Sequence, residues 1–261
     1  MSKFEYILSE VDELGINTIT INQAKKLNAL SRPLLKELDV AVTNAINDEN
    51  IKSILLTGAG EKAFVAGADI SEFKELNGTE AVEMARFGQE LFRKIETSPK
   101  ATIAAVNGFS LGGGCELAMA CQMRVASENA KFGQPEVNLG LLPGYGGTQR
   151  LVQLVGKGKA MELLMTGDLI GAEDALRLGL VNHVTTQEEL IGKCKGILKK
   201  IGKKAPIAIA KVVACVDAGL DPNQDGYDAE AVAFGECFLT EDFTEGVTAF
   251  LEKRKANFKG K

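Results

Sequence analysis

Short β-rich stretches alternate with long amphipathic stretches through the first half of the chain, and this alternation constrains the fold more than any other feature. The stretches INTITIN (16–22), SILLTGAG (53–60) and ATIAAVNGF (101–109) combine β-branched and apolar residues and are closed by Asn or Gly. Such runs are typical of buried strands. Because strands that alternate with helices pair mainly in parallel, the sequence predicts an α/β fold with a mainly parallel sheet.

The intervening segments predict helices. Between the first two strands, Ser31 is placed to cap a helix and Pro33 falls in its first turn. Apolar residues recur there at helical spacing, at Leu34, Leu38, Val42 and Ile46. A second amphipathic helix follows in GTEAVEMARFGQELFRKIETSP, where we expect Thr79 as the cap and an end before Pro99.

The strand signal stops at about residue 200, and three helical segments follow. They are APIAIAKVVACVDAGL, YDAEAVAFGECFL and TEGVTAFLEKRKANF. We therefore expect an α/β catalytic core over residues 1–200 and a C-terminal helical subdomain over residues 201–261.

Charge and composition narrow the range of partners. The formal net charge of −5 argues against a nucleic acid or an anionic membrane as the main partner. No apolar run reaches the roughly 20 residues of a membrane span. The start MSKFEYILSEVDELG resembles neither a signal nor a transit peptide, so a cytoplasmic location is expected. The five cysteines are odd in number and lack C-x-x-C spacing, which favours reduced thiols.

The chain contains one histidine, and this excludes several kinds of chemistry. Zinc sites and Ser-His or Cys-His catalysis need placed imidazoles or Cys clusters. His183 lies in GLVNHVTT, which resembles a strand, and we interpret it as a structural or surface residue. The chemistry must then come from carboxylates, lysines, backbone donors or a bound cofactor. No metal site is predicted.

A dinucleotide-binding fingerprint is present but weak. Gly58, Gly60 and Ala63 satisfy G-x-G-x-x-G/A after a predicted strand. The residues that follow, FVAGADI, do not open a long helix, so a glycine-rich exit from the strand is the favoured interpretation. An NAD-dependent oxidoreductase remains as an alternative from another enzyme class.

The segment GFSLGGGCELAMACQM carries the stronger signal. Three glycines stand between a strand and a helix-compatible run, so backbone N–H groups and the positive end of a helix dipole point to one spot. A substrate oxygen can approach the Gly113 amide closely because no side chain covers it. A second donor from FVAGADISEF would complete an oxyanion hole for a thioester or ester carbonyl.

Two carboxylates lie in apolar surroundings. Glu116 follows the three glycines, and Glu136 lies in GQPEVNLGLLPGYGGTQR. One interpretation is structural: Glu116 favours a helix N-terminus and Glu136 faces water. The other is a pair that shares one water, in which one carboxyl stays protonated as the acid and the other serves as the base.

These segments resemble the enoyl-CoA hydratases of the crotonase superfamily. The resemblance runs from LNAL (27–30) to the C-terminus and is carried by AFVAGADISEF, AAVNGFSLGGGCELAMACQMRVAS and FGQPEVNLGLLPGYGGTQRLVQLVGKGKAMELLMTG, together with EGVTAFLEKRKANF. Within that family, the segments are most similar to those of short-chain bacterial crotonases. It implies a crotonase-type β-β-α spiral core, a C-terminal trimerisation region and a homohexamer built as a dimer of trimers.

The resemblance also implies the roles of individual residues. The N–H groups of Ala68 and Gly113 would bind the thioester oxygen, while Glu116 and Glu136 position the water and exchange protons with C2 and C3. Coenzyme A would enter as part of the acyl-CoA substrate, so no separate cofactor is expected. Its adenine and pantetheine end would be held through Ala66, Asp69, Ile70 and Ser71, with Lys25 near the phosphates.

The sequence departs from the family pattern at two places. Gln23-Ala24 replaces the usual Arg-Pro before LNAL, which bears on the stiffness of that loop and its CoA contacts. Gln122 replaces an Asp after the second cysteine, and we expect an effect on the packing of the helix end.

Alternatives remain within the superfamily. An isomerase typically keeps one of the two glutamates, and decarboxylases or hydrolases, which also act on CoA thioesters, use other polar groups, so the presence of both glutamates favours hydration. Some hydratase-like proteins bind RNA through a lysine-rich helix, and KCKGILKKIGKKA (193–205) is the candidate here, although its lysines fit a solvated helix face.

Tyr145 is the candidate for setting substrate length. It lies nine residues beyond Glu136, where many longer-chain relatives carry a smaller residue. A ring beside the acyl pocket would shorten it and favour crotonyl-CoA. The alternative is that the ring packs against the turn and never meets the acyl chain.

Overall fold

A computed structural model describes residues 4–74 and 76–261. The first three residues of the amino-terminal stretch and Glu75 lie outside that description. The strands are β1 (Ile7–Val11), β2 (Ile16–Ile21), β3 (Ser53–Gly58), β4 (Ala63–Val65), β5 (Ala101–Val106), β6 (Phe109–Leu111), β7 (Met123–Ser127), β8 (Lys131–Gly133), β9 (Ile170–Gly171) and β10 (His183–Thr185). The helices are α1 (Arg32–Asn47), α2 (Gly78–Glu96), α3 (Gly113–Ala120), α4 (Gly147–Val155), α5 (Lys157–Thr166), α6 (Ala172–Arg177), α7 (Leu190–Ile201), α8 (Pro206–Leu220), α9 (Gly226–Cys237) and α10 (Glu241–Leu251).

The strands form two sheets. The larger has the order β1-β2-β3-β5-β7-β10, and the smaller has the order β4-β6-β8-β9. Only the β1–β2 and β8–β9 pairs among these are antiparallel, so the predicted mainly parallel pairing is confirmed. Each of the units β3-β4-α2, β5-β6-α3 and β7-β8-α4 sends its first strand to the larger sheet and its second to the smaller one. The repeated unit winds the chain into the predicted β-β-α spiral.

Side-chain alternation along the strands fills two hydrophobic layers. In β3, Ile54 and Leu56 join the main core with α1, whereas Leu55 points to the opposite face. There α7 covers the larger sheet with its buried residues Leu190, Cys194 and Leu198. Each such fully buried aliphatic side chain stabilises the fold by about 1.5–3 kcal/mol. The lysines at the end of α7 lie on its exposed side, as expected for a solvated face.

The helix caps agree with the sequence at one helix and differ at another. Ser31 caps α1 by accepting from the Leu34 N–H, as predicted. The prediction of Thr79 as the cap of α2 is wrong, because Asn77 caps this helix. The Asn77 side chain accepts from the N–H groups of Thr79 and Glu80, and Glu80 in turn accepts from the Asn77 N–H. This reciprocal capping box satisfies more of the free N–H groups at the helix start than a Thr79 cap would.

The glycine-rich exit from β3 leads to a strand. After Gly58 and Gly60 the chain enters β4, so the helix that a dinucleotide site requires is missing at this position. The predicted run 101–109 is two strands, because Asn107 turns away after β5 and donates to the carbonyls of Gly58 and Gly60. His183 begins β10 as an exposed residue, in agreement with its interpretation as a surface histidine.

The three C-terminal helices α8, α9 and α10 form as predicted, but α10 ends at Leu251, short of the predicted segment. The last residues instead fold back on their own chain. Asp242 accepts from the N–H groups of Lys259 and Gly260, and the Phe258 ring lies over Gly246.

All five cysteines carry free thiols. Within residues 4–74 and 76–261, no helix has both the length and the apolar character needed to cross a membrane.

Candidate active site

A cavity of about 460 Å³ opens where the two sheets' loops meet the starts of α2 and α3. Glu116 and Glu136 both line it, together with the backbone of Ala68 and Gly113. These four residues come from three separate segments of the chain, and the fold brings them together. The roles assigned to them from the sequence remain predictions.

Glu116 lies in the first turn of α3 and is only 1% exposed. Its Oε1 accepts from two backbone N–H groups, those of Tyr145 and Gly147, each at 2.7 Å. The pKa of Glu116 is raised to about 7. Burial is the main cause, the two N–H groups lower the pKa, and the nearby Glu136 charge raises it. The carboxyl can therefore exchange a proton near neutral pH.

The close approach of the Gly147 amide depends on the absence of a side chain. A Cβ at Gly147 would lie 3.0 Å from Glu116 Cγ and 2.9 Å from the Pro143 ring. The preceding residue, Gly146, has a φ of 103°, which directs the chain into α4 and favours glycine. The glycines of GYGGTQR thus shape a seat for one oxygen of Glu116.

Glu136 lies in a short 3-10 helix (Pro135–Leu139) and is half-buried. Burial raises its pKa above the ordinary value of a glutamate. A Cβ at Gly112 would lie 2.9 Å from Glu136 Oε1, and Gly112 has a φ of 51°, so a side chain is disfavoured there on both grounds. With the amide of the buried Gln134 assigned so that its nitrogen faces the carboxylate, as the surrounding donors and acceptors require, it donates to Oε1 at 3.0 Å and to Oε2 at 3.2 Å. Glu136 is thereby held toward the cavity.

Two residues of the cavity wall, Ala68 and Gly113, carry backbone N–H groups that lack a protein acceptor in the described part of the chain. Within the described ranges, neither the Ala68 N–H nor the Gly113 N–H donates a hydrogen bond to another protein group. Gly113 is the first residue of α3, where a free N–H group and the helix dipole favour negative charge. A substrate oxygen bound there would be stabilised as it gains negative charge.

The predicted CoA-binding residues divide into two groups. Ala66 and Ile70 line the cavity. Asp69 and Ser71 lie beside it in a local cap, in which Asp69 accepts from the Ser71 N–H and hydroxyl. Hydrogen bonds from Ser71 and Lys26 lower the pKa of Asp69. Lys25 is exposed in the 3-10 turn Ala24–Lys26, and the neighbouring Lys26 is the lysine that pairs with Asp69.

Tyr145 is 4% exposed, and its ring lies between α2 and the cavity. Its ring packs edge-on against Phe92 and lies so close to Gly88 of α2 that a Cβ at Gly88 would fall 2.2 Å from a ring carbon. The same ring lines the cavity beside Gly113. Burial raises the pKa of the Tyr145 hydroxyl to about 12, so it stays neutral.

The two departures from the family pattern have visible local consequences. After Gln23-Ala24 the loop is fastened by the fully buried Asn28, which accepts from the Gln23 N–H and donates to the carbonyls of Ala59 and Ala63. Gln122 joins the ends of α3 and α2 to β5, because it accepts from the Thr102 N–H and donates to the Ser98 carbonyl. These contacts place Gln122 at the helix end, and the effect of its replacing an Asp there stays a prediction.

Sequence reasoning missed two buried polar residues beside the site. Gln134 holds Glu136, and its position between Gly133 and Pro135, two residues before that glutamate, was an available signal. Arg150 donates to the Tyr145 carbonyl and to both oxygens of Glu96. Its partners lie 5 and 54 residues away, and no local pattern predicts the distant contact. In the described part of the chain, no group of three or more His, Cys, Asp or Glu residues is arranged to hold a metal ion.

Comparison with known proteins gives a consistent result. A family model described as enoyl-CoA hydratase/isomerase matches residues 12–261. A short-chain-enoyl-CoA hydratase of Clostridium acetobutylicum is 51% identical over 241 residues, covering 92% of each chain. A crotonyl-CoA hydratase of Syntrophomonas wolfei is 50% identical over 256 residues, covering 98% of each chain. The crystal structure of an enoyl-CoA hydratase from Bacillus anthracis aligns with a TM-score of 0.93 at 37% identity, covering 98% of this chain and 100% of that one.

Proposed function

The chain belongs to the enoyl-CoA hydratase/isomerase family, and we propose that it adds water reversibly across the trans-2 double bond of short-chain enoyl-CoA thioesters, converting crotonyl-CoA to 3-hydroxybutyryl-CoA. Relatives at about half identity that carry hydratase names support the reaction and the short chain. The observation that carries the proposal is the pair of glutamates, Glu116 and Glu136, on the wall of one cavity beside two free backbone donors.

The thioester oxygen would bind to the N–H groups of Ala68 and Gly113. As water adds at C3, electron density moves from the C2–C3 double bond through C1 to this oxygen, which becomes an enolate oxygen. Donors fixed in place before the reaction stabilise that charge without rearranging. The dipole of α3 acts in the same direction at Gly113.

The two glutamates would hold one water and divide the proton transfers. The water oxygen bonds to C3, and its proton passes to one carboxylate. The other carboxyl delivers a proton to C2, so the pair holds the same number of protons before and after the reaction. The elevated pKa of each carboxyl is suited to this exchange at neutral pH. No metal, flavin or nicotinamide is required by these steps.

The CoA portion would lie along the loop of Ala66, Asp69, Ile70 and Ser71. Ala66 and Ile70 on the cavity wall suit the pantetheine arm, and the exposed Lys25 and its neighbour Lys26 suit the phosphates by charge. The acyl end would meet the Tyr145 ring. A cytoplasmic location remains a prediction from the sequence.

Assembly as a homohexamer, a dimer of trimers, is proposed for residues 201–261 acting as the trimerisation region. Support comes from the large apolar side chains that residues 206–251 leave exposed, among them Val216, Phe234, Leu239 and Phe250. Exposed apolar side chains in such number favour burial in a protein interface.

Glutamine substitutions test the reaction. Glu116→Gln and Glu136→Gln should each lower kcat on crotonyl-CoA by the roughly 10²–10⁴-fold typical of a general acid or base. Because both groups act on one water, the double variant should lose far less than the product of the two factors. The measurement is loss of the conjugated thioester absorbance, and unchanged circular dichroism shows that the variants are folded. A single variant with wild-type kcat would contradict the shared-water mechanism.

A further inference from the structure

Arg150 is a buried cation beside the active site that lies outside the cavity wall. It is 7% exposed and sits on α4, the helix that begins at Gly147. Its Nη1 donates to the Tyr145 carbonyl at 2.8 Å, while Nε and Nη2 donate to the two oxygens of Glu96 at 3.2 and 3.0 Å. Both edges of the guanidinium are thus occupied, so its orientation is fixed.

The loop held by Arg150 is the one that holds Glu116. The Tyr145 carbonyl bonds outward to Arg150, while the Tyr145 and Gly147 N–H groups bond inward to Glu116 Oε1. On the other side, the Gln89 side chain of α2 donates to the Gly144 carbonyl at 2.9 Å. Because a peptide unit is planar and trans, the Gln89 bond to the Gly144 carbonyl directs the Tyr145 N–H toward Glu116. The Arg150 bond to the Tyr145 carbonyl fixes the next peptide plane, which lies between the two N–H groups that Glu116 accepts from.

The composition of this loop makes outer anchors necessary. Gly144, Gly146 and Gly147 surround Tyr145, and glycine leaves a backbone with many accessible conformations. A loop with that freedom presents two N–H groups to one carboxylate oxygen only where other contacts hold it. The Arg150–Glu96 pair, anchored on α2, supplies such a contact.

We propose that Arg150 is a positioning residue for Glu116: it holds the Tyr145 carbonyl so that the 144–147 loop seats one oxygen of Glu116 and leaves the other free for the substrate water. The inference rests on the proposed function, in which Glu116 handles that water. A purely structural role, in which Arg150 only ties α2 to α4, would affect stability and leave the behaviour of Glu116 unchanged.

The charge of Arg150 supports this arrangement. Its guanidinium lowers the pKa of Glu116, against the larger opposite effect of burial. The other titratable groups that face Glu116 are Glu136, Tyr145 and Cys115. Removing the Arg150 charge therefore shifts the titration of Glu116 to higher pH, and this shift can be measured.

The experiment compares Arg150→Met, Arg150→Lys and Glu96→Gln with Arg93→Met in the full-length protein. Arg93 pairs with the same Glu96 but is half-exposed, and its hydrogen bonds go to Glu96 and Asp217 and not to the 144–147 loop, so it is the matched control. We expect Arg150→Met to lower kcat on crotonyl-CoA roughly tenfold to a hundredfold with KM nearly unchanged, since substrate contacts stay in place. Arg150→Lys should recover part of the loss, and Arg93→Met should match wild type.

The pH dependence provides the second readout. The titration of kcat assigned to Glu116 should move to higher pH in Arg150→Met and less in Arg150→Lys. Wild-type kcat and an unchanged pH profile in folded Arg150→Met would overturn the inference. If that variant does not fold, the same two results in Arg150→Lys and Glu96→Gln together would overturn it.

An infrared titration separates this inference from the proposed function. The C=O band of protonated Glu116 is identified by its loss in Glu116→Gln and then followed against pH in wild type and in the Arg150 variants. An upward shift of its midpoint supports the positioning role even if the wild type fails to hydrate crotonyl-CoA, a failure that would refute only the proposed function. An unchanged midpoint refutes the positioning role.

Discussion

At the scale of single residues, Glu116 shows how the chain keeps a carboxylate away from water. Transfer of an ionised carboxylate into an apolar site is costly, and hydrogen bonds offset part of that cost. Two backbone N–H groups at 2.7 Å supply the hydrogen bonds, yet burial still dominates and raises the pKa to about 7. The native state therefore binds the Glu116 proton more tightly than the unfolded chain does.

This difference predicts a dependence of stability on pH. Between a pH near 4.5 and a pH near 7 the folded protein holds more protons at Glu116 than the unfolded chain, so raising the pH lowers the free energy of unfolding. The full shift corresponds to about 3 kcal/mol. Glu116→Gln keeps an oxygen for the two N–H groups and cannot ionise.

We therefore expect the stability of Glu116→Gln relative to wild type to increase as the pH rises from 4.5 to 8. Urea unfolding at a fixed protein concentration measures this difference. Glu136 is only half-buried, so the stability of Glu136→Gln relative to wild type should change less over the same pH range. A difference that stays constant with pH would argue against a strongly buried, ionisable Glu116.

Tyr145 predicts the chain-length preference. Each methylene that the pocket cannot bury forfeits about 0.8 kcal/mol, so lengthening the acyl chain from C4 to C8 could cost around 3 kcal/mol. Crotonyl-CoA should be the best substrate of the wild type, with kcat/KM falling by C8. Tyr145→Ala removes the ring from the cavity wall and should flatten this profile by raising activity on C8 and C12.

Tyr145→Phe retains the ring and serves as the control, with an unchanged profile expected. Because the ring also packs on Phe92 and Gly88, Tyr145→Ala should lose roughly 3–5 kcal/mol of stability, as large-to-small core changes do. Assays are therefore run well below its unfolding temperature. If the chain-length profile stays the same in Tyr145→Ala, the ring does not meet the acyl chain.

The residues of the site could be predicted from the sequence to different extents. Glu116 comes two residues after a run of three glycines, Glu136 directly follows a proline, and the fold places both carboxyls on one cavity. The Arg150–Glu96 pair joins residues 54 positions apart, and tertiary packing alone creates it. Lys26 pairs with Asp69 where Lys25 was assigned to the phosphates, a choice that sequence spacing cannot make.

At the scale of elements, local signals predicted the helices better than their ends. The periodicity of α1 and its Ser31 cap follow from nearest neighbours along the chain. At α2 two residues with capping ability stand two positions apart, and Asn77 prevails over Thr79 because Glu80 completes a reciprocal capping box with it. The division of residues 101–109 into β5 and β6 depends on Asn107 bonding to a distant loop, which local propensity does not encode.

Two helical glycines in different surroundings, Gly88 of α2 and Gly196 of α7, predict opposite effects of a change to alanine. An Ala in a helix interior is favoured over Gly by about 1 kcal/mol. A Cβ added at Gly196 of α7 would meet no neighbouring heavy atom within 4 Å, so Gly196→Ala should stabilise the protein by about that amount. At Gly88 the Cβ would fall 2.2 Å from the Tyr145 ring, and overpacking typically costs about 1–3 kcal/mol.

Gly88→Ala should therefore unfold at lower temperature than wild type, and Gly196→Ala at higher temperature. Since the displaced ring lies between α2 and the cavity, Gly88→Ala should also lower kcat/KM on crotonyl-CoA, whereas Gly196→Ala should leave it unchanged. Calorimetry and the hydration assay measure the two effects. A stabilised Gly88→Ala would mean that the ring moves without cost.

At the scale of the whole molecule, strand order lies beyond what periodicity can predict. Alternating strands and helices indicate a parallel sheet, but they do not reveal that β4, β6 and β8 leave the larger sheet and form a second one. That exchange repeats once in each β-β-α unit and places the starts of α2 and α3, and the loop before α4, around one cavity. The resemblance to a known family, rather than composition or spacing, predicted the spiral.

The exposed apolar side chains of residues 206–251 predict the state of assembly. Leu239 is 87% exposed and Phe250 is 83% exposed, and α8 adds Val212 and Val216 over an apolar cleft of about 400 Å³. Large contiguous apolar surfaces are rare on monomers, so we expect these side chains to be covered in the assembled protein. Light scattering should give about six times the 27.8 kDa mass of the chain, as a dimer of trimers requires.

Leu239→Lys and Phe250→Asp place charges on this surface and should produce smaller species, because burying an unpaired charge in an interface is costly. Val40→Lys, on α1 far along the chain from this region, should keep the wild-type mass. A wild-type protein that runs as a stable monomer at micromolar concentration would contradict the assignment of residues 201–261 to trimerisation.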